Sequence, residues 1–162
     1  MGLALLSLGS NIEPVTHLAA AATALRAAFP DVRFSPLLRY AAVGFEGPDF
    51  LNAAAVMDTA MSPQQLNDWL HALEDANGRR RDVPRFSSRT LDIDLVFYDD
   101  LVLSGPGNLR LPRPELKHAF VLEPLAALVP DFVDPVSGHT LRQLWQAHPD
   151  HAAPAPVEVL VL

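Results

Sequence analysis

Cysteine is absent from the 162 residues, which excludes a disulfide framework and a thiolate metal site. No apolar run is long enough to cross a bilayer, and the first residues do not join positive charge to an apolar stretch as a secretory leader does. Basic residues are the minority, 12 Lys and Arg against 19 Asp and Glu, for a net charge of -7. A general nucleic-acid binder needs a basic surface to neutralise phosphates, so that class is disfavoured. The 8 glycines and 15 prolines stay below the roughly 25 to 30% of a disordered composition. There is no internal repeat and no low-complexity linker. The expectation is a single domain over 1–162, able to bury roughly 68 to 70% of its unfolded surface. Its expected setting is the cytoplasm, with no membrane or nucleic-acid partner.

What positive charge there is lies unevenly. Five of the 12 basic residues fall in "RRRDVPRFSSR", Arg79 to Arg89, and that run leads straight into "TLDIDLVFYDD". In this second stretch Leu91, Ile93, Leu95 and Phe97 alternate, as the buried face of a strand should. Asp92 and Asp94 then share the other face with Val96 and Tyr98. Like charges so placed repel unless something positive sits between them.

The rest of the chain reads as strand, helix, strand, strand, helix, strand. "LALLSL" (Leu3 to Leu8) is a buried strand, and Leu18, Ala22, Leu25 and Phe29 mark one face of a helix that stops at Pro30. "VRFSPLLRY" (Val32 to Tyr40) and "FLNAAAVMD" (Phe50 to Asp58) read as strands around a loop with Gly44, Gly47 and Pro48. The next helix has Ser62 and Gln65 as a capping box, Pro63 in the first turn, a stripe of Leu66, Trp69, Leu70 and Leu73, and Asn77-Gly78 as its end. His71 and Glu74 lie off that stripe. "SGPGN" is a turn, "LRLPRPELKH" an extended basic segment, and Pro124 to Val129 and Thr140 to Trp145 are short helices. The tail, 148–162, ends in an alternating pattern suited to an edge strand. Strands flanked by two long helices predict an α+β sandwich.

Hard divalent cations take oxygen ligands, and magnesium is commonly held by one or two carboxylates plus phosphate oxygens and water. Carboxylates at i and i+2 of a strand can converge on one ion or bridge two. The guanidinium fork matches phosphate oxygens in pairs. An Asp-x-Asp strand or an Arg run alone is weak evidence, but the two adjoin here, with Glu74 on the preceding helix.

"LSLGSN", "FLNAA", "GRRRDVPRFSSRTLDIDLVFYDD" and "AFVLEPL" occur in this order between about Leu3 and Trp145, and they resemble the signature blocks of the 6-hydroxymethyl-7,8-dihydropterin pyrophosphokinase family. The resemblance implies a ferredoxin-like α/β sandwich with a mainly antiparallel sheet. It also implies an ATP-dependent transfer of pyrophosphate to the pterin hydroxymethyl group, a step of folate biosynthesis. Asp92 and Asp94 match the magnesium ligands, which would hold two ions on the triphosphate of the co-substrate ATP. Arg79, Arg81 and Arg89 match basic positions of a mobile catalytic loop. His71, Glu74, Phe86, Leu95, Arg113, Lys117 and His118 fall on the nucleotide side. Asn52 matches the reader of the pterin edge, Phe50 and Phe120 the rings that sandwich it, and Ala42, Val43 and Phe45 the pterin-side loop. Of the loop arginines, Arg80 is expected in solvent, Arg89 fixed at the strand entrance, and Arg81 and Arg85 on the triphosphate once it binds. The partners implied are small molecules, and a monomer is expected in preference to a homodimer.

The chain departs from the family pattern in places. Ala42 and Val43 stand where a Thr-Pro pair is usual, in a shorter loop; Arg113 replaces a phosphate-contacting His, and His71 stands where Gln is common. These changes leave open a non-catalytic pterin- or nucleotide-binding paralogue. Against it stand the intact Asp92 and Asp94, which a binder would not need. A ferredoxin-like nucleic-acid module is disfavoured by the acidic balance and by the lack of an exposed aromatic pair on adjacent central strands.

Overall fold

The computed structural model describes residues 1–79, 82, 88–158 and 162. In chain order its elements are β1 (Gly2–Ser10), α1 (Pro14–Ala28), β2 (Arg33–Phe34), β3 (Leu38–Tyr40), β4 (Phe50–Thr59), α2 (Pro63–Ala76), β5 (Asp92–Tyr98), β6 (Leu103–Ser104), β7 (Arg110–Leu111), α3 (Ala119–Leu128) and α4 (Leu141–Gln146). Short 3-10 turns lie at Pro114–Lys117 and Pro149–Ala152. The main sheet runs β2-β4-β1-β5, β3 also pairs with β4, and all of these pairings are antiparallel. Each helical crossover, β1-α1-β2 and β4-α2-β5, skips one strand. That topology is the expected ferredoxin-like α+β sandwich, and β6 with β7 forms a separate hairpin around "SGPGN".

The two faces of the sheet are built from alternate residues of the same strands. One face carries Ala4, Leu6 and Leu8 of β1, Leu51, Ala53, Ala55 and Met57 of β4, and Ile93 and Leu95 of β5, packed with Leu18 and Leu25 of α1 and Leu66 and Leu70 of α2. The predicted caps of α2 are present: Ser62 Oγ accepts from the Gln65 N–H, and Gln65 accepts in return from the Ser62 N–H at 2.8 Å. Gly78, at φ 77°, ends it in the left-handed region that favours glycine. The other face presents Leu5, Ala54, Val56, Val96 and Phe97 to Val121, Leu122 and Leu125 of α3 and to Leu141 of α4. These helices cover only half of that face. Beyond Leu5 and Ala54 it continues as Ser7 and Gly9, Asn52 and Phe50, and Asp94 and Asp92.

The expected alternation in β5 holds only to Leu95. Leu6 pairs with Leu95 and Leu5 with Phe97, so Val96 is an extra residue in a bulge. The bulge turns Phe97 to the α3 side and Tyr98 to the α1/α2 side, reversing the faces that unbroken alternation assigns them. The carbonyl of Val96 accepts from the Arg113 N–H at 3.0 Å, which ties the segment before α3 to the bulge.

Three further expectations are corrected. Val32 to Tyr40 is two short strands, because at the Pro36 break the Ser35 side chain takes over the ladder, its Oγ accepting from the Ala54 N–H at 2.8 Å. Helix α3 starts at Ala119, not at Pro124; the proline sits inside it, where it lacks the N–H that would bond to Phe120. "LRLPRPELKH" is extended only in part, since β7 is followed by the 3-10 turn. Of the tail, Val157 makes an isolated bridge with Leu38, and residues 159–161, in the stretch expected as an edge strand, lie outside the described residues.

Phe97, 1% exposed, fills the layer between sheet and α3 and tilts against Phe132 at 4.9 Å. Phe97→Ala is expected to lower the unfolding free energy by about 3 to 5 kcal/mol, read from urea denaturation.

Candidate active site

The uncovered half of the α3-side face forms the floor of a cavity of about 220 Å³. Of the expected site residues, Val43, Phe45, Phe50, Asn52, Arg79, Arg89, Asp92, Asp94, Arg113, His118 and Phe120 line it. Ser7, Gly9, Tyr40, Ala41, Glu115 and Val121 line it too and were not anticipated. The signal was partly there: "LGSN" ends the central strand, where a small residue admits a neighbour, and Tyr40 closes a strand at a loop.

Several expected residues stand elsewhere. Leu95 is 1% exposed in the opposite core, because it is on the other face of β5 from the carboxylates. Ala42 does not line the cavity, its neighbour Ala41 taking that place at the bend after β3. His71, half-buried on α2, and the exposed Lys117 are not in the lining either. Arg81 and Phe86 lie outside the described residues, as do Arg80 and Arg85.

At one end of the cavity Asp92 and Asp94 face up from β5, in register with Gly9 and Ser7 of β1. Glu74 joins them from the last turn of α2. It was read as lying off the helix stripe but is only 2% exposed, since the last turn of α2 packs against β5. There it accepts from the Ile93 N–H at 3.0 Å, an edge-strand donor with no strand beside it. One oxygen from each of the three carboxylates lies within 4.8 Å of the others.

The positive partners are arginines from two directions. Arg79 leaves the end of α2 and places Nη1 3.2 Å from Asp92 and 3.7 Å from Glu74. Arg113, fixed by the bulge, places Nη2 3.3 Å from Asp94 and Nε 3.3 Å from Glu115. Arg89 is 9% exposed and its backbone is gripped on both sides: its N–H donates to Asn11 Oδ1 at 2.8 Å and its carbonyl accepts from the Asn11 N–H at 3.1 Å. It is thus fixed at the strand entrance, as expected. Asn11 also donates to the Pro48 carbonyl and the Ser88 hydroxyl, so the end of β1 joins both loops that flank the cavity.

This balance is incomplete. Burial, and then the nearby Asp92, hold the Asp94 carboxyl well above its ordinary value, with Arg113 opposing. Burial, and then Arg79, lower the Arg89 guanidinium, against the pull of Asp92 and Glu74. Three convergent carboxylates are an all-oxygen donor set, and that set fits a hard divalent cation. The Nε of Arg79 is buried without a hydrogen-bond partner among the described residues, a donor suited to a further anion.

The other end is aromatic. Phe45 meets Phe50 edge to face at 6.4 Å, and Phe120 stacks on His118 at 4.9 Å. Between the two ends lies Asn52, 5% exposed, whose amide donates to the Leu8 carbonyl at 3.4 Å while its Oδ1 has no partner. Gly9 makes room for it: a Cβ there would stand 2.6 Å from Asn52 Nδ2.

A carboxylate and guanidinium cluster at one end of a cavity, with aromatic rings and an unsatisfied amide at the other, is suited to a phosphorylated ligand and a flat hydrogen-bonding one. The sequence agrees in detail. Residues 5–130 match the family described as 7,8-dihydro-6-hydroxymethylpterin-pyrophosphokinase (HPPK), and the chain belongs to it. A 2-amino-4-hydroxy-6-hydroxymethyldihydropteridine pyrophosphokinase of Synechocystis is 40% identical over 145 residues, 87% of this chain and 73% of that protein. A protein of the same name from Pseudomonas aeruginosa is 38% identical over 149 residues, 88% of this chain and 90% of that one. Among solved structures, Plasmodium falciparum HPPK-DHPS aligns with a TM-score of 0.72 over 90% of this chain and 44% of its own. At 13% identity that likeness concerns the fold.

The raised Asp94 value has a stability consequence. A carboxyl whose folded value is above its unfolded one favours folding only while protonated, so its burial costs stability above the folded value and not below the unfolded one. Asp94→Asn is expected to raise the melting temperature of the metal-free protein at pH 7, with the gain shrinking as the pH falls towards 4, measured by calorimetry across pH.

Proposed function

We propose that this chain transfers pyrophosphate from ATP to the hydroxymethyl group of 6-hydroxymethyl-7,8-dihydropterin, giving the pterin diphosphate and AMP, a step of folate biosynthesis. The observation that carries the reading is the pairing, in one cavity, of Asp92 and Asp94, backed by the buried Glu74, with the Asn52 amide among aromatic rings. The pterin hydroxyl oxygen bonds to the β-phosphorus, the bond from that phosphorus to the α,β-bridging oxygen breaks, and AMP leaves as the hydroxyl proton is lost. Bound magnesium, proposed here as two ions on Asp92 and Asp94, supplies neutralisation of triphosphate charge.

The chain's own residues supply orientation. Arg79 and Arg89 from the two ends of the α2–β5 connection, and Arg113 from the segment before the 3-10 turn, line the cavity and would meet phosphate oxygens once their carboxylate partners are otherwise engaged. Arg113, the replacement for the usual His, retains a phosphate donor. Glu74, committed to the Ile93 N–H, holds α2 against β5 and so fixes the spacing of the acids. Asn52 reads the pterin edge, with Phe50 and Phe120 on its faces, and Val43 and Phe45 close the loop side. On this reading the chain acts on small molecules as one domain over 1–162, a reading supported by two core clusters packed on opposite faces of one sheet, and it does so as a monomer in the cytoplasm. Among the described residues no helix is long and apolar enough to cross a membrane.

Asp92→Asn and Asp94→Asn are each expected to abolish AMP formation from ATP and the hydroxymethyl pterin at saturating magnesium, with the fold intact by circular dichroism. Near wild-type turnover in either variant rules out the metal assignment. For the pterin end, Asn52→Ala and Gly9→Ala are both expected to weaken pterin binding by about tenfold or more with little change for ATP, because an amide lost or pushed aside leaves ligand groups unpaired. Calorimetry with each ligand, the other site saturated, decides it; equal losses for both ligands move the pterin pocket elsewhere.

A further inference from the structure

Tyr40, the last residue of β3, lines the cavity, yet its hydroxyl points away into a second set of contacts. The O–H donates to the Glu123 carboxylate of α3 in a short hydrogen bond and also reaches the Ala119 carbonyl at 3.3 Å. Glu123 is 8% exposed, and the same oxygen accepts from the Ala155 N–H at 3.3 Å. A carboxylate this buried is costly unless donors meet it, and here one donor comes from β3 and the other from the C-terminal segment. Burial, and then the hydrogen bond to Glu123, raise the Tyr40 phenol far above its ordinary value, so it remains a donor.

The segment that supplies Ala155 is itself fastened to β3. The Arg39 N–H donates to the Pro156 carbonyl at 3.0 Å, the Glu158 N–H donates to the Leu37 carbonyl at 2.8 Å, and the Arg39 and Glu158 side chains pair at 2.6 Å. It occupies the outer edge of β3 and closes the ring Tyr40, Glu123, Ala155 from outside. On the cavity side the Tyr40 ring meets Phe120 edge to face at 6.4 Å.

We infer that Glu123, together with the tail segment sharing its carboxylate, is a positioning element that holds Tyr40, and through it Phe120, in the orientation that receives the flat heteroaromatic substrate. A wall fixed before binding spares the ligand the cost of ordering it, so the effect falls on the aromatic end of the cavity. The guanidinium and carboxylate end is anchored separately, through α2 and the β5 bulge, and does not depend on this ring of contacts.

The inference rests on the pterin assignment, and its test separates the two. Wild type, Glu123→Ala, Glu123→Gln, Tyr40→Phe and Ala155→Pro are titrated with the hydroxymethyl pterin in the presence of a saturating non-hydrolysable ATP analogue and magnesium. Each is also titrated with that nucleotide alone, and thermal midpoints are recorded. Glu123→Ala and Tyr40→Phe are expected to bind pterin about tenfold more weakly, with nucleotide affinity within about twofold of wild type. Glu123→Gln keeps an acceptor and is expected to recover most of the loss, and Ala155→Pro, which removes the tail N–H while its ring also fixes φ there, to fall between. Should Glu123→Ala fail to fold, Tyr40→Phe, lacking a single hydroxyl, carries the test. Unchanged pterin affinity in Tyr40→Phe, or losses for both ligands that track the thermal midpoint, overturn the inference. A wild-type protein that binds nucleotide but no pterin overturns the pterin assignment and this inference with it.

Discussion

Three carboxylates with oxygens within 4.8 Å of one another are the constraint around which this molecule is arranged. Such a cluster repels itself, and moving it away from water makes the repulsion worse. Arg79 from the end of α2 and Arg113 from the segment before α3 each neutralise one aspartate, but Asp94 remains strained toward its protonated form. The free protein therefore carries an electrostatic cost at this place, one that a hard cation would relieve on the proposed reading.

The cluster can exist because the sheet is half covered on that face. Helices α3 and α4 pack over Leu5, Val56, Ala54 and Phe97 and stop, leaving Ser7, Gly9, Asn52 and the aspartates as a floor. The bulge at Val96 marks the border between the two halves. It turns Phe97 into the packed layer, while its carbonyl receives the Arg113 N–H and so points the guanidinium back at Asp94. One irregular residue thus serves both packing and charge placement, consistent with the tendency of bulges to lie beside functional sites.

The order of elements was legible because apolar periodicity marks β1, α1, β4 and α2, with a capping box added in α2, and each forms about where its pattern predicts. The places where the pattern misleads have local causes. The bulge breaks the alternation after Leu95, and sequence carries no mark for an inserted residue flanked by apolar neighbours on both sides. Ser35 replaces a ladder hydrogen bond with its side chain, which lets a strand break look continuous. Pro124 suggests a helix start when it lies inside one. Within the site, Asp92, Asp94 and the arginines were legible from charge pattern and resemblance. Glu74 was legible as an acid near the cluster but not as a buried one, because its burial comes from α2 lying on the edge of β5, a tertiary fact. Tyr40, Gly9 and Asn11 act through what they touch across the sheet, and spacing along the chain does not report that.

The two ends of the cavity differ in how they discriminate among ligands. Charge at the carboxylate end steers phosphorylated, metal-bound molecules into the cavity and rejects unlike charge, but it is screened by salt and does not read the ring. Asn52 works differently. Its Nδ2 lies 2.6 Å from where a Gly9 Cβ would stand and donates to the Leu8 carbonyl, while its Oδ1 has no partner among the described residues, and leaving a buried acceptor unpaired generally costs about 1 to 3 kcal/mol. A ring of the right shape without that N–H leaves the cost in place, whereas one that offers it removes the cost and gains the bond. On the proposed reading the selectivity for a pterin therefore originates in the missing side chain of Gly9, because only a glycine at that point of the central strand lets the amide lie where its oxygen is stranded.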